Sequence, residues 1–379
     1  MKPYLIVTGD FVKTGGMDRA NYALARYVAE RGSETHLVAY RVDPELEAMP
    51  NVITHKVRKI MGSYLAAGAL LSSVAKKWAK TVSGRGGSVV TNGGNCRFTD
   101  INWVHYVHAA YRRPSSSALL STVKNRAAHL HFVAQERDVL PRARMLIANS
   151  NRTRSDAIAK LGIDGSKIHT VYLGTDPAEF KPGTAGERIR LRREIGLPAD
   201  HSVVVFVGAL GDSRKGFDIA FRAWQSLCAD SAWDAHLAVV GRGAELPIWK
   251  RRASESGMSD RIHFLEFRTD VPDILRACDA MLAPSRYEPY GLAVHEALCC
   301  GLPAIVSANA GVAERYPAEL SDLLIPNPED APDVAARIRL WKANPEFFKN
   351  AADRLSSAMR SYTWNHMAAK IVELGERTA

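Results

Sequence analysis

A chain of 379 residues with 46% hydrophobic and 24% charged content is long and apolar enough for two folded domains, which excludes a disordered or fibrous protein. The five cysteines, Cys96, Cys228, Cys278, Cys299 and Cys300, lack zinc-type spacing, and the adjacent pair suits an ordinary disulfide poorly; structural thiols in a reducing cytoplasm are expected. The net charge of +10 divides unevenly, with 25 Lys and Arg against 12 Asp and Glu through Thr175, a balance of +13, and −3 in the remainder.

The opening run Met1-Lys-Pro-Tyr-Leu-Ile-Val-Thr-Gly9 is too short for a signal peptide and is expected to lead directly into a first strand, Tyr4 to Gly9. A Gly15-Gly16 loop precedes a helix near Asp18 to Arg31, apolar at Ala20, Ala23, Leu24, Tyr27 and Val28 and closed by Gly32. Gly15 and Gly16 let backbone N–H groups approach a phosphate or an acceptor; Asp18 is either a helix-start charge or an acceptor contact. Further strands are predicted at Thr35 to Tyr40, Ser88 to Asn92, Trp103 to Val107 and Met145 to Ala148. Ser150 then caps a helix ending near Gly162, and a short strand, Lys167 to Leu173, follows.

The basic charge is concentrated between Lys56 and Arg126, where Lys56, Arg58, Lys59, Lys76, Lys77, Lys80, Arg85, Arg97, Arg112, Arg113, Lys124 and Arg126 face only Asp100. Such a stretch meets anionic lipid, an anionic glycolipid acceptor or nucleic acid. Tyr64 to Lys80 also joins an apolar run to a basic, tryptophan-bearing end, as interfacial helices do, although a domain helix with a solvated tail has the same pattern. No segment reaches the roughly 18 apolar residues needed to span a bilayer. Recognised RNA-binding motifs and aromatic-basic interleaving are absent, so a nucleic-acid-binding module stays a weaker alternative.

Pro177, Pro182, Gly183 and Gly186 mark an interdomain crossing at 177–186. A second alternation then begins with the buried strand Ser202-Val-Val-Val-Phe-Val-Gly208, the loop Ala209 to Gly216 and a helix, Phe217 to Cys228. It continues through strands near His236 to Val240, Arg261 to Leu265, Ala280 to Ala283 and Pro303 to Val306, with closing helices Asp333 to Lys342, Pro345 to Arg360 and Thr363 to Glu376. The expected fold class is α/β, with two Rossmann-like doubly wound domains.

Two stretches of this second half carry chemistry. Arg214 and Lys215 sit outside the carboxyl end of the Ser202 strand, where open parallel sheets bind ligands and where a diphosphate meets a planar fork and a compact charge. Downstream, Glu288-Pro-Tyr-Gly-Leu-Ala-Val-His-Glu296 places a carboxylate in a loop, a glycine at a helix start and a second carboxylate inside the helix. Gly291 with Tyr290 and Leu292 offers backbone N–H groups to a diphosphate, while Glu288 and Glu296 accept from hydroxyls of a sugar and a ribose. The bland alternative is a solvated basic turn and two helix-end charges. Gly208 and Val240-Gly241-Arg242-Gly243 end strands and permit either close approach to a nucleotide or merely tight turns.

At these residues the chain resembles glycosyltransferase family 4, retaining enzymes of the GT-B fold, over nearly its whole length. Gly15-Gly16, Ala148-Asn-Ser150, Leu173-Gly174-Thr175-Asp176 with Phe180, Arg214-Lys215-Gly216, the two-glutamate motif and the Trp364 helix carry the likeness. It departs at Ala209, where many members have arginine; Arg214 resembles the substitute seen in lipopolysaccharide-core glucosyltransferases. The resemblance implies an acceptor-binding domain at 1–176 completed by a crossover helix at 363–379, and a nucleotide-sugar domain at 187–362 facing it across a cleft. It further implies that Glu288, Lys215, Arg214 and His108, preferred to His105, act on the transferred sugar and its leaving group. Gly15, Gly16, Gly208, Gly241, Arg268 in the loop after the third strand of the second domain, Tyr290, Gly291, Leu292 and Glu296 would hold the donor. No Asp-x-Asp motif stands in a strand-to-loop setting, so neither metal nor other cofactor is expected. The implied reaction is retaining transfer of a hexose from a nucleotide-sugar, UDP before GDP or ADP, to a glycan or lipid-linked acceptor in lipopolysaccharide or polysaccharide assembly at the inner face of a membrane. A sugar-nucleotide epimerase or hydrolase on the same fold is the alternative.

Overall fold

The computed structural model describes residues 2–59, 64–111 and 119–377. Arg112 and Arg113 of the basic stretch lie outside the described residues, as does the side chain of Lys124. The chain divides into two compact units, Met1–Gly174 with Thr363–Ala379, and Thr175–Tyr362.

The first unit runs β1 (Tyr4–Val7), β2 (Asp10–Phe11), α1 (Gly16–Glu30), β3 (Thr35–Ala39), β4 (Arg41–Val42), α2 (Pro44–Glu47) and β5 (Val52–Lys56). It continues through α3 (Tyr64–Gly84), β6 (Ser88–Asn92), β7 (Ile101–Val104), α4 (Leu119–Val139), β8 (Met145–Ala148), α5 (Asn151–Leu161) and β9 (Ile168–Thr170). Seven strands form a sheet in the order β5-β3-β1-β6-β7-β8-β9, every pair parallel. β1 is buried along its whole length because helices cover both faces of a parallel sheet, which is why it reads as an unbroken apolar run. Ala67, Leu71, Ala75, Ala79 and Val82 put one stripe of α3 onto this sheet beneath Leu5, Val7, Val38 and Val89. The Ser150 hydroxyl accepts from Thr153 N at 2.9 Å to start α5, and Gly162 ends it in the left-handed region.

The strand expected at Trp103 to Val107 lies instead at Ile101–Val104, because the pairing that defines it runs Val90–Ile101 to Asn92–Trp103 against β6. His105 therefore already lies past the strand end. β5 and α4 escaped the sequence reading. β5 is an edge strand with partly exposed residues and no buried run, and the apolar residues of α4 do not fall on one stripe.

The second unit contains α6 (Ala185–Ile195), β10 (Val203–Val207), α7 (Phe217–Cys228), β11 (His236–Val240), α8 (Leu246–Glu255), β12 (Ile262–Glu266), α9 (Val271–Ala277) and β13 (Ala280–Ala283). After these come α10 (Leu292–Cys299), β14 (Ala304–Ser307), β15 (Leu324–Ile325), α11 (Ala331–Ala343) and α12 (Pro345–Arg360). Its parallel sheet has the order β12-β11-β10-β13-β14-β15. Phe217, Phe221 and Trp224 share one face of α7, where Phe217 meets Phe206 and Trp249 with ring centroids 5.0 and 5.1 Å away. Residues 177–186 pack within this unit, since Phe180 is buried in its core and α6 starts at Ala185.

The last helix, α13 (Trp364–Arg377), belongs to the first unit and packs on α1. It buries Met367, Ala368, Ile371 and Val372 and places the Trp364 ring 5.7 Å from the Arg19 guanidinium.

Candidate functional site

In the second unit the strand order reverses between β10 and β13, and ligands of open α/β sheets bind outside the strand ends at such a point. The loop after β10 carries Arg214 and Lys215, and the loop after β13 carries Glu288 and Gly291, so both motifs flank one switch point. The contact is direct: Lys215 Nζ donates to Glu288 Oε2 at 2.6 Å, and Arg214 Nη1 lies 3.6 Å from Oε1. Burial pushes the Glu288 carboxyl up, but the charges of Lys215 and then Arg214 outweigh it and hold the group below the usual carboxylate range. Glu288 is therefore an ionised acceptor, mostly buried, with two cations at its side.

Glycines shape both loops. Gly216 sits at φ +71°, and a Cβ there would lie 2.0 Å from the Pro284 carbonyl oxygen, so only glycine lets the two loops touch. Gly291 has φ +102° and immediately precedes α10. Around it the backbone is tied down, with Gly311 N donating to Glu288 O at 3.1 Å and Val312 N to Tyr290 O at 2.7 Å.

Arg286 was missed by sequence reasoning and holds the two loops together. Its Nη1 donates to Ser213 O at 2.6 Å and to Asp218 Oδ1 at 2.7 Å, while Nη2 meets Asp218 Oδ2 at 2.7 Å and Glu329 Oε2 at 3.1 Å. Its backbone N–H donates to Arg214 O at 2.8 Å. Arg214 answers from the other loop, donating to Tyr287 O at 3.2 Å and pairing with Asp212 at 3.1 Å. An arginine one residue before a tyrosine gives no sequence signal, because its partners are 68, 73 and 43 positions away.

The remaining candidates of this unit have mixed surroundings. Tyr290 is buried, its hydroxyl is within 2.7 Å of His295 Nδ1, and its carbonyl oxygen accepts from Val312 N. Leu292 opens α10 and Glu296 is half-buried along it. Gly241 is explained by the neighbouring loop, since a Cβ there would lie 1.9 Å from Gly208 O; a Cβ on Gly208 would instead press on the Phe206 ring at 3.0 Å and approach Lys215 Cγ at 3.4 Å. Arg268 forms a two-pronged pair with Asp270, its Nε 2.8 Å from Oδ1. Among the described residues, no group of three or more His, Cys, Asp or Glu side chains is arranged to hold a metal ion.

In the first unit, Gly15 precedes α1 at φ +84° and Gly16 is the first residue of the helix. His108 is held by Glu136, which was also missed: this buried carboxylate accepts from His108 N at 2.7 Å and Ala109 N at 3.2 Å and lies 2.6 Å from His108 Nδ1. Glu136 comes from α4, the helix the sequence did not reveal. His105, by contrast, is buried, and burial lowers its pKa to about 3, which makes it a neutral interior ring.

Comparison with known proteins gives two family matches. Residues 14–179 match Glycosyltransferase Family 4 and residues 187–361 match Glycosyl transferases group 1. A D-inositol 3-phosphate glycosyltransferase of Salinispora tropica is 28% identical over 98% of this chain and 82% of its own length. The protein of the same name from Stackebrandtia nassauensis is 29% identical over 70% of this chain, and the match spans only 61% of that relative. Among solved structures, sucrose-phosphate synthase from Thermosynechococcus elongatus has a TM-score of 0.79 at 20% identity, covering 100% of this chain and 99% of that one. WaaG, a glycosyltransferase involved in lipopolysaccharide biosynthesis, has a TM-score of 0.78 at 17% identity, covering 98% and 99%. Anabaena HepE, solved with UDP and glucose, has a TM-score of 0.73 at 17% identity and covers 99% of each chain. These structures share the GT-B fold of two parallel-sheet α/β domains.

Proposed function

Because the chain belongs to the glycosyltransferases of family 4 and group 1, we propose that it moves a hexose from a nucleotide-sugar to a hydroxyl of a glycan or lipid-linked acceptor. The observation that carries this reading is the part-buried Lys215–Glu288 pair, 2.6 Å apart, beside Arg214 and the helix start at Gly291. An ionised carboxylate accepts from sugar hydroxyls, and adjacent cations beside a helix N-terminus suit the charge that builds on a departing diphosphate.

In the proposed reaction the bond from the anomeric carbon to the phosphate oxygen breaks, and its electron pair leaves on the diphosphate. The acceptor oxygen attacks from the same face, and its proton passes to the leaving phosphate oxygen, so configuration is retained. Lys215 and Arg214 supply the positive charge that the leaving group requires, and the reaction is accordingly metal-independent. UDP is the preferred donor nucleotide, a choice supported by the fold-related HepE, which was solved with UDP; GDP and ADP are the alternatives to test. The likeness to WaaG supports a cell-surface glycan or lipopolysaccharide context, and the names of the curated relatives support inositol phosphate as another acceptor to try. The +13 charge through Thr175 supports peripheral contact with an anionic membrane; among the described residues no helix is long and apolar enough to cross one.

Calorimetric titration of UDP, GDP and ADP tests the reading. Saturable binding of one nucleotide, weakened in Lys215→Ala, is expected, with turnover falling by about 10²–10³-fold in the variant and unchanged by EDTA in the parent protein. Near-native turnover in Lys215→Ala would overturn the assignment, and a strict magnesium requirement would remove metal independence.

A further inference from the structure

The stretch from Glu288 to Glu296 hangs on one turn of backbone, and His295, the buried titratable group inside it, takes no part in the reaction proposed above. Gly291 caps α10 without a side chain to bond the first-turn N–H groups, whereas the hydroxyls of Ser150 and Thr184 accept from the third residue of α5 and of α6. The angle at which the chain enters this helix of 8 residues therefore has to be set from outside the cap.

Tyr290 and His295 supply that constraint. They stand one residue before the cap and at the fourth position of the helix, the two places where an apolar pair commonly packs to fix the entry of the chain. Here the pair is polar: the Tyr290 hydroxyl and His295 Nδ1 are 2.7 Å apart, with the ring centroids at 5.6 Å and the planes tilted by 42°. Both side chains are buried, His295 completely. A hydrogen bond is directional where apolar packing is not, so this link holds the turn more strictly than an apolar pair would. On its other side the loop is tied by backbone, through Gly311 N to Glu288 O at 3.1 Å and Val312 N to Tyr290 O at 2.7 Å. The turn between Glu288 and α10 is thus held from two directions.

We propose that Tyr290 and His295 are a positioning pair of the nucleotide-sugar site: their bond fixes the direction of the α10 N-terminus relative to Glu288, and with it the grip on the diphosphate rather than on the nucleoside. The proposal rests on the transferase reading above and assigns the pair no contact with substrate. Burial lowers the His295 pKa to about 3, so the ring stays neutral and the bond persists through the ordinary histidine range. Its buried Nε2 meets no partner among the described residues. Leaving that nitrogen unpaired costs stability that an apolar residue at 295 would avoid, which fits a side chain placed for geometry.

Calorimetry with UDP and UMP tests the proposal in the parent protein, Tyr290→Phe, His295→Leu and the double variant, with urea midpoints measured beside it; GDP with GMP or ADP with AMP takes their place if the parent prefers another base. The monophosphate lacks the second phosphate, so the ratio of the two affinities reads the grip on the diphosphate. Each single variant is expected to lower the urea midpoint, because a buried polar group loses its partner, and to lower the diphosphate-to-monophosphate ratio about tenfold. In the double variant two apolar side chains face each other, so the midpoint returns toward that of the parent while the ratio stays low. A ratio unchanged in Tyr290→Phe, equal losses of both nucleotides, or a ratio that recovers with the midpoint in the double variant overturns the proposal and leaves the transferase reading standing. A parent protein that binds no nucleoside diphosphate sinks that reading, and the role of the pair with it.

Discussion

At residue 216 two constraints coincide, a left-handed backbone at φ +71° and a carbonyl oxygen 2.0 Å from where a Cβ would sit. Gly216→Ala is expected to lose about 1–3 kcal/mol from backbone conformation alone, and more from pushing Pro284 away. Urea unfolding measures the loss, and a midpoint unchanged from the parent would show that the loops are not in contact. Gly291 is held less tightly, with Val312 Cγ1 at 3.0 Å from its virtual Cβ. The sequence displayed both glycines, and the place of Gly291 at the start of α10 was legible in it. It could not reveal that Gly216 and Gly241 are needed first for one loop to touch another, because the touching partners are distant in sequence. Tyr290 is the local counterpart: its hydroxyl meets His295 only five residues on, within the same motif.

At the scale of elements, the loops after β10 and β13 behave as one unit through Arg286. Its guanidinium meets Ser213 O, Asp218 and Glu329, and the side chain is 12% exposed. Arg286→Ala frees the Ser213 carbonyl and leaves Asp218 and Glu329 without their partner, so Arg214 and Lys215 lose their fixed position against Glu288. The expected outcome is a turnover reduced by about 10–100-fold, with a smaller change in KM and partial rescue in Arg286→Lys, because misplacing a charge-stabilising group affects the transition state more than the ground state. Equal losses of stability and turnover in both variants would mark Arg286 as structural only. Helix α4 gives a parallel case in the first unit. Its Glu136 fixes the His108 backbone and ring, and neither the helix nor the link showed in the sequence because α4 has no single apolar stripe.

Over the whole molecule, acid is expected to weaken both units. His105 and His295 have pKa values lowered to about 3 by burial, and burial also brings His55 and His236 down to about 4. Each stays neutral in the folded chain while its unfolded counterpart takes a proton near pH 6.5. Stability from these groups is therefore complete above about pH 6.5 and falls as pH drops toward 4. Asp18, raised to about 6, has the opposite sign, since its penalty disappears as it gains a proton over the same interval. With four histidines set against one carboxylate, urea midpoints should fall between pH 7 and pH 4.5; a midpoint that rises would contradict the neutral-histidine picture. The charge asymmetry, +13 through Thr175 and −3 beyond, adds repulsion to the first unit in the same direction.

The sequence by itself determined the elements whose reasons are local. Continuous apolar runs became the inner parallel strands, Ser150 and Gly162 started and stopped a helix, and the charged β10 loop and the two-glutamate motif with its helix start stood out because charge and helix-start patterns can be read over a few residues. Tertiary structure alone decided what depends on contacts between distant residues. It set β7 at Ile101–Val104 by pairing with β6, made Phe180 part of the second core and brought Arg286 onto Ser213. It also gathered Asp10, Asp18, Asn95 and Phe132 around one cavity. Parallel sheets make this division inevitable: neighbouring strands are separated by whole helices, so the residues that meet at a switch point are rarely close in the chain.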